Sequence, residues 1–119
     1  MNIEYISSLP NNFPEELLVR SKSLEKLGIC ALAWNWEDAI KVAESLSSNN
    51  YSILGGDVYK LSKDELVSTF DNRYINEDIT KLWSENIMLS KNRTIEYIRQ
   101  YHDKSGENFY YSFVFKSKK

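Results

Sequence analysis

Asp57 and Asp71 are the side chains of this chain whose type and placement could do chemistry. They lie on two consecutive runs of strand-forming residues, 51–61 and 66–74, joined by the short polar stretch Ser62-Lys63-Asp64-Glu65. That spacing predicts an antiparallel hairpin. If the hairpin makes the two carboxylates converge in a pocket, they could share one cation, as a small metal- or nucleotide-binding enzyme requires. If they stand apart on an open face, they can instead pair with basic groups of a protein partner. Asp57 directly follows Gly55-Gly56, two of only four glycines in the chain. Glycine weakens a strand interior, so the pair marks a bulge or a close approach of another backbone or a ligand.

Other chemistry is sparse. The single histidine, His102, stands beside Asp103 at the end of a predicted helix, where capping accounts for it. One cysteine, Cys30, among Ile29, Ala31 and Leu32, reads as a buried, reduced core residue and excludes an internal disulfide. One Cys and one His make no zinc set, so neither metal nor cofactor is expected. No glycine-rich phosphate loop precedes a helix. The adjacent acid pairs, such as Glu37-Asp38 and Glu77-Asp78, fall on helix starts and turns, where solvated acids are ordinary. Gly55-Gly56-Asp57 resembles the start of the Gly-Gly-Asp-Glu-Phe signature of cyclic-dinucleotide synthases, but Val58 and Tyr59 replace the remaining two residues.

The totals describe one domain over residues 1–119, with 42% apolar and 13% aromatic residues, enough for a real core. Residues 1–13 and 117–119 read as loosely ordered. No apolar run approaches the length of a membrane span, and no basic-then-apolar leader opens the chain, so a cytoplasmic protein is expected. The net charge of −2 hides a division: residues 37–78 hold nine acids against four bases, and residues 81–119 hold eight bases against four acids. An acidic central segment steers basic partners and argues against nucleic acid.

The elements that must position these residues follow from periodicity. Pro14 opens a helix whose stripe, Leu17, Leu18, Leu24 and Leu27, stops at Gly28. Residues 29–34 form a short apolar run, either strand or loop. Asn35 caps a second helix carrying Ala39, Ile40, Ala43 and Leu46. Ile79, Leu82, Trp83, Ile87, Ile95, Ile98 and Tyr101 fit a long helix that the polar stretch 90–93 could divide. Residues 108–116 form the cleanest strand, with Phe109, Tyr111, Phe113 and Phe115 on one face. The order predicts an α+β domain: a small, largely antiparallel sheet of three to four strands with helices packed on one face.

The segment Ile53-Leu54-Gly55-Gly56-Asp57-Val58-Tyr59 carries a more specific signal. Together with Trp34-Asn35-Trp36 before it and Phe70-Asp71-Asn72-Arg73-Tyr74 after it, it resembles immunity protein 40, a family of small bacterial immunity proteins from polymorphic toxin systems. The motifs cover roughly residues 30 to 76. Arg73 departs from the pattern, which expects tryptophan there. The resemblance implies an α+β fold and a non-catalytic role, that of binding and neutralising a cognate toxin, with a basic nuclease as one kind of partner. The contact surface implied is Asp57, Tyr59, Asp71, Arg73 and Tyr74 on the paired strands, with Glu37 and Asp38 at the helix start. The aspartates would meet basic groups and the tyrosines would act as amphipathic anchors.

Overall fold

The computed structural model describes residues 3–117. Lys118 and Lys119, the end of the expected basic tail, lie outside the described residues, as do Met1 and Asn2. The elements run α1 (Ile3–Ser8), α2 (Glu15–Arg20), β1 (Lys22–Ser23), β2 (Leu32–Trp34), α3 (Trp36–Ser48), β3 (Ser52–Ser62), β4 (Glu65–Tyr74), α4 (Trp83–Ser105), β5 (Phe109–Ser112) and β6 (Val114–Lys116). The fold is α+β. Its sheet has six strands, not three to four, in the order β1-β2-β5-β3-β4, with β6 pairing β3. Every pairing is antiparallel.

The extra strands come from segments too short to show a period of two. β1 and β2 pair through Lys22↔Ala33 and Ser23↔Leu32. The predicted strand 108–116 is divided at Phe113 into β5 and β6, both on β3. The first leucine stripe also splits. α2 ends at Arg20, and Leu24 continues into a 3-10 turn (Glu25–Leu27) closed by Gly28 in the left-handed region. Within residues 3–13, α1 is helical, and Leu9 and Phe13 are core residues.

Alternation along the strands separates two apolar clusters on opposite faces. Leu32, Trp34, Ile53, Val58, Tyr111 and Phe113 lie under the helices, packed with Val42 and Leu46 of α3 and Ile98 of α4. Trp34 is fully buried and its indole N–H donates to the Leu17 carbonyl at 2.7 Å, which ties α2 to the sheet. Ala33 and Tyr59 face the other way and join Leu24, with Ala31, Leu66 and Tyr110 packed around them. Cys30, expected in the core, is exposed beside this smaller cluster's loop.

α3 begins where its cap predicts, with the Asn35 side chain accepting the Asp38 N–H at 2.9 Å. α4 runs unbroken through its polar middle because Ser90 and Thr94 face inward. The Ser90 hydroxyl oxygen accepts the Ile53 N–H at 3.2 Å, supplying a partner where the β3–β6 register shifts. α4 starts at Trp83, so Ile79, assigned to it from periodicity, is an exposed loop residue.

Candidate functional site

The hairpin of β3 and β4 holds most of the predicted site residues. Its tip, Lys63-Asp64, has both residues at positive φ between Ser62↔Glu65, the geometry of a tight two-residue turn. From there the two strands pair to Gly55↔Tyr74. Beyond β4 the sheet has no further strand among the described residues, so β4 is an edge.

On the inner face the glycine pair marks a close approach. A Cβ on Gly56 would lie 1.9 Å from the Ser112 carbonyl oxygen and 2.8 Å from both terminal guanidinium nitrogens of Arg73. A Cβ on Gly55, whose φ is +152°, would lie 2.3 Å from the Arg73 carbonyl oxygen. Gly56 thus makes the space in which the Arg73 guanidinium lies. That side chain is only 7% exposed. It donates to the Ser112 carbonyl at 3.0 Å, and its guanidinium carbon stands 4.9 Å from the centre of the Phe113 ring and 5.8 Å from that of Tyr97. Burial pulls its pKa down to about 10, against the opposing pull of nearby Tyr97 and Asp57.

A register shift between β3 and β4 exposes other groups. Between Asp57↔Asn72 and Tyr59↔Ser68, β3 contributes only Val58 while β4 contributes Thr69, Phe70 and Asp71. Local side chains satisfy this bulge. The Thr69 hydroxyl donates to the Val58 carbonyl at 2.8 Å and accepts the Asp71 N–H at 3.1 Å. Ser68 Oγ accepts the Phe70 N–H at 3.0 Å, and Ser112 Oγ accepts the Asp57 N–H at 3.1 Å. Phe70 sits at the apex with φ +65° and 89% of its surface exposed. Tyr74, at the end of the strand, is 88% exposed.

The predicted residues divide accordingly. Asp57, Asp71 and Tyr74 are exposed on the hairpin. Asp57 and Asp71 line one open groove of about 380 Å³ with Leu27, Ile29, Tyr59, Ser68, Phe70 and Asn72. One Asp71 carboxylate oxygen accepts the Tyr101 hydroxyl of α4 at 2.7 Å, and burial together with that bond raises the pKa of Tyr101. Tyr59 is 2% exposed and belongs to the outer-face cluster, where burial and then the Asp57 carboxylate raise its pKa. Arg73 is interior. Glu37 is exposed at the start of α3, but α3 follows β2, which β5 and β3 separate from β4. Asp38 is buried in a two-bond pair with Arg20, at 2.9 and 3.0 Å. The structure therefore brings Asp57 and Asp71 to one groove, places Tyr74 at the end of the same hairpin beside a different cleft, and leaves Glu37 and Asp38 apart from all three.

Phe70 escapes sequence reasoning as a site residue, because a phenylalanine in a strand reads as core. The one signal is its place in Phe70-Asp71-Asn72, where two turn-favouring residues interrupt the strand pattern. His102 stacks on Trp36 with ring centres 4.1 Å apart and lies 3.7 Å from Glu107. Among the described residues no three His, Cys, Asp or Glu side chains group as metal ligands, and no helix is long and apolar enough to cross a membrane. In comparison with known proteins, the family model for immunity protein 40 matches residues 23–115. No curated protein and no solved structure matches significantly.

Proposed function

The chain belongs to the immunity protein 40 family, and from that premise we propose that it binds and neutralises a cognate toxin of a bacterial polymorphic toxin system without catalysing a reaction. Binding occurs through the outer edge of the β3–β4 hairpin. The observation that carries this reading is the exposure of Phe70 and Tyr74 on an edge strand beside two exposed carboxylates, Asp57 and Asp71. Exposed aromatics next to charge are the usual makings of an interface anchor. A non-glycine residue held at positive φ, as Phe70 is, is also the kind of local strain found at functional positions.

The partner is a protein with a cationic surface, and a basic nuclease fits that description. Carboxylates on the hairpin pair with the arginines or lysines that such an enzyme uses for phosphate, through charge-assisted hydrogen bonds. The acidic field also speeds encounter. Tyr59 and Arg73 act from inside, shaping the hairpin. Neutralisation takes place in the cytoplasm of the cell that makes the toxin.

Co-expression with the toxin encoded beside it tests the reading. Cells survive with the wild-type chain, and Asp57→Ala with Asp71→Ala together reduces protection while the protein stays folded and soluble. Death despite good soluble wild-type expression sinks the immunity reading for that pair. Full protection by the folded double variant moves the contact surface elsewhere.

A further inference from the structure

Arg73 has more hydrogen-bonding capacity than the fold uses. Among the described residues its Nε and Nη1 have no partner, and its Nη2 bond to Ser112 stands alone. The ion pairs among these residues do not include it. A guanidinium this deeply buried is ordinarily paired, because leaving charged donors unsatisfied costs more than the burial returns. The Phe113 and Tyr97 rings provide a diffuse negative potential, which offsets part of the desolvation but supplies no oxygen acceptor.

Arg73 also lines a cleft of about 250 Å³ between the end of β4 and α4, with Tyr74, Arg93, Glu96, Tyr97 and Gln100. The α4 residues fall at helical spacing, so one face of the helix supplies them. We propose that this cleft binds a carboxylate, with the Arg73 guanidinium as its inner donor and Arg93 and Gln100 at its rim. The planar guanidinium suits a carboxylate, which can accept two of its N–H groups. The charges choose between anions. Among the lining side chains two arginines and one glutamate leave a single positive charge, and the nearby Asp57 carboxylate lowers it further, so a monoanion suits the cleft better than a phosphate dianion, which would meet Glu96. Tyr97 must turn aside to admit the ligand. Its hydroxyl holds the Asn72 carbonyl by a long bond of 3.4 Å, which is weak enough to give up. The proposal does not rest on the toxin reading, although Tyr74, an anchor in that reading, also lines this cleft.

The test uses the full chain, labelled with nitrogen-15, and follows the Arg73 Nε–H signal and the backbone amides of Tyr97 and Gln100. Sodium acetate and a blocked glutamate tripeptide are titrated in, with sodium phosphate as the competing anion and sodium chloride as the ionic-strength control. A saturable shift with either carboxylate that chloride does not reproduce is the expected result. Arg93→Ala, an exposed position, weakens binding about two- to fivefold, the range of a single solvent-exposed charge. Arg73→Met removes the response of the Tyr97 and Gln100 amides. If that variant does not fold, the Arg93→Ala comparison still decides. Tighter binding of the tripeptide than of acetate assigns the occupant to a protein side chain, and equal binding assigns it to a free acid; both support the site. No saturable shift with either carboxylate overturns the proposal, as does phosphate binding more tightly than both.

Discussion

On its inner side the β3–β4 hairpin is packed so closely that a methyl group on Gly56 does not fit, while on its outer side Phe70 and Tyr74 stand almost wholly in solvent. The two sides meet at neighbouring residues of β3. Opposite Val58, β4 carries three residues, with Phe70 at the middle of them. Next to Asp57, Gly56 pairs in regular register with Arg73 and leaves room for its side chain beneath the helix layer. The contrast shows how one strand pair can serve two purposes. The inner side fixes the position of the strands with close contacts that tolerate no change. The outer side carries side chains that contribute little to folding and are free to meet a partner.

The strongest way to break this comparison is to alter the inner side alone. Gly56→Ala places a Cβ against the Ser112 backbone carbonyl, which cannot retreat cheaply, and against the Arg73 guanidinium, the end of a long side chain that must shift within its buried site. The expected loss is about 3 kcal/mol or more, at the upper end for overpacking. Gly28→Ala is the control. It has positive φ but open space around its Cβ, so it loses only about 1 kcal/mol. Urea unfolding of the two variants measures the difference. Equal losses would mean that the packing around Ser112 and Arg73 yields to the added methyl group, since Gly56 itself has no positive φ.

Next in size is the effect of altering the outer side alone. Phe70→Ala and Tyr74→Ala remove rings that make few contacts within the fold, so stability changes by less than about 0.5 kcal/mol, as at ordinary surface positions. Affinity for the toxin falls by about 2 kcal/mol for each variant if these are the anchors of the interface. Calorimetric titration beside a melting curve separates the two. Unchanged affinity in both variants would remove the outer edge from the interface and leave the comparison as one of packing only.

Much of this hairpin is readable in the sequence, and the rest is hidden for identifiable reasons. The strands, their antiparallel pairing and the anomaly at Gly55-Gly56 follow from local composition. The cap at Asn35 does too, because its signal lies within four residues. β1 and β2 are too short for alternation to register, and Leu24 shares the spacing of a helical stripe while packing on the opposite face of the sheet. The direction of Arg73 and Tyr59 depends on which face each strand turns inward, and a bulge reverses that without leaving a clear mark in composition. Acidity and a place beside the family-like tryptophan motif group Glu37 and Asp38 with the hairpin. Strand order separates them, and strand order is set by long-range pairing.

The smallest effect expected is also the one that tests why Phe70 is where it is. Five non-glycine residues among those described have positive φ: Asn50, Lys63, Asp64, Phe70 and Asn108. Asn and Asp tolerate that region, and Lys63 lies in the tight hairpin turn. Phe70 is the one bulky ring among them, and it gains little burial in return. Phe70→Gly relieves a left-handed conformation that costs an L-residue about 1 to 2 kcal/mol. It adds roughly 0.5 to 1 kcal/mol of unfolded-state entropy. The balance is a stability gain of about 0.5 kcal/mol, read as a higher urea midpoint with an unchanged slope. Toxin affinity falls as it does for Phe70→Ala. A gain in stability with a loss of affinity means that the bulge holds strain for the sake of the ring it presents. A loss of both would mean that the ring supports the hairpin after all, and that the outer side is less independent of the fold than its exposure suggests.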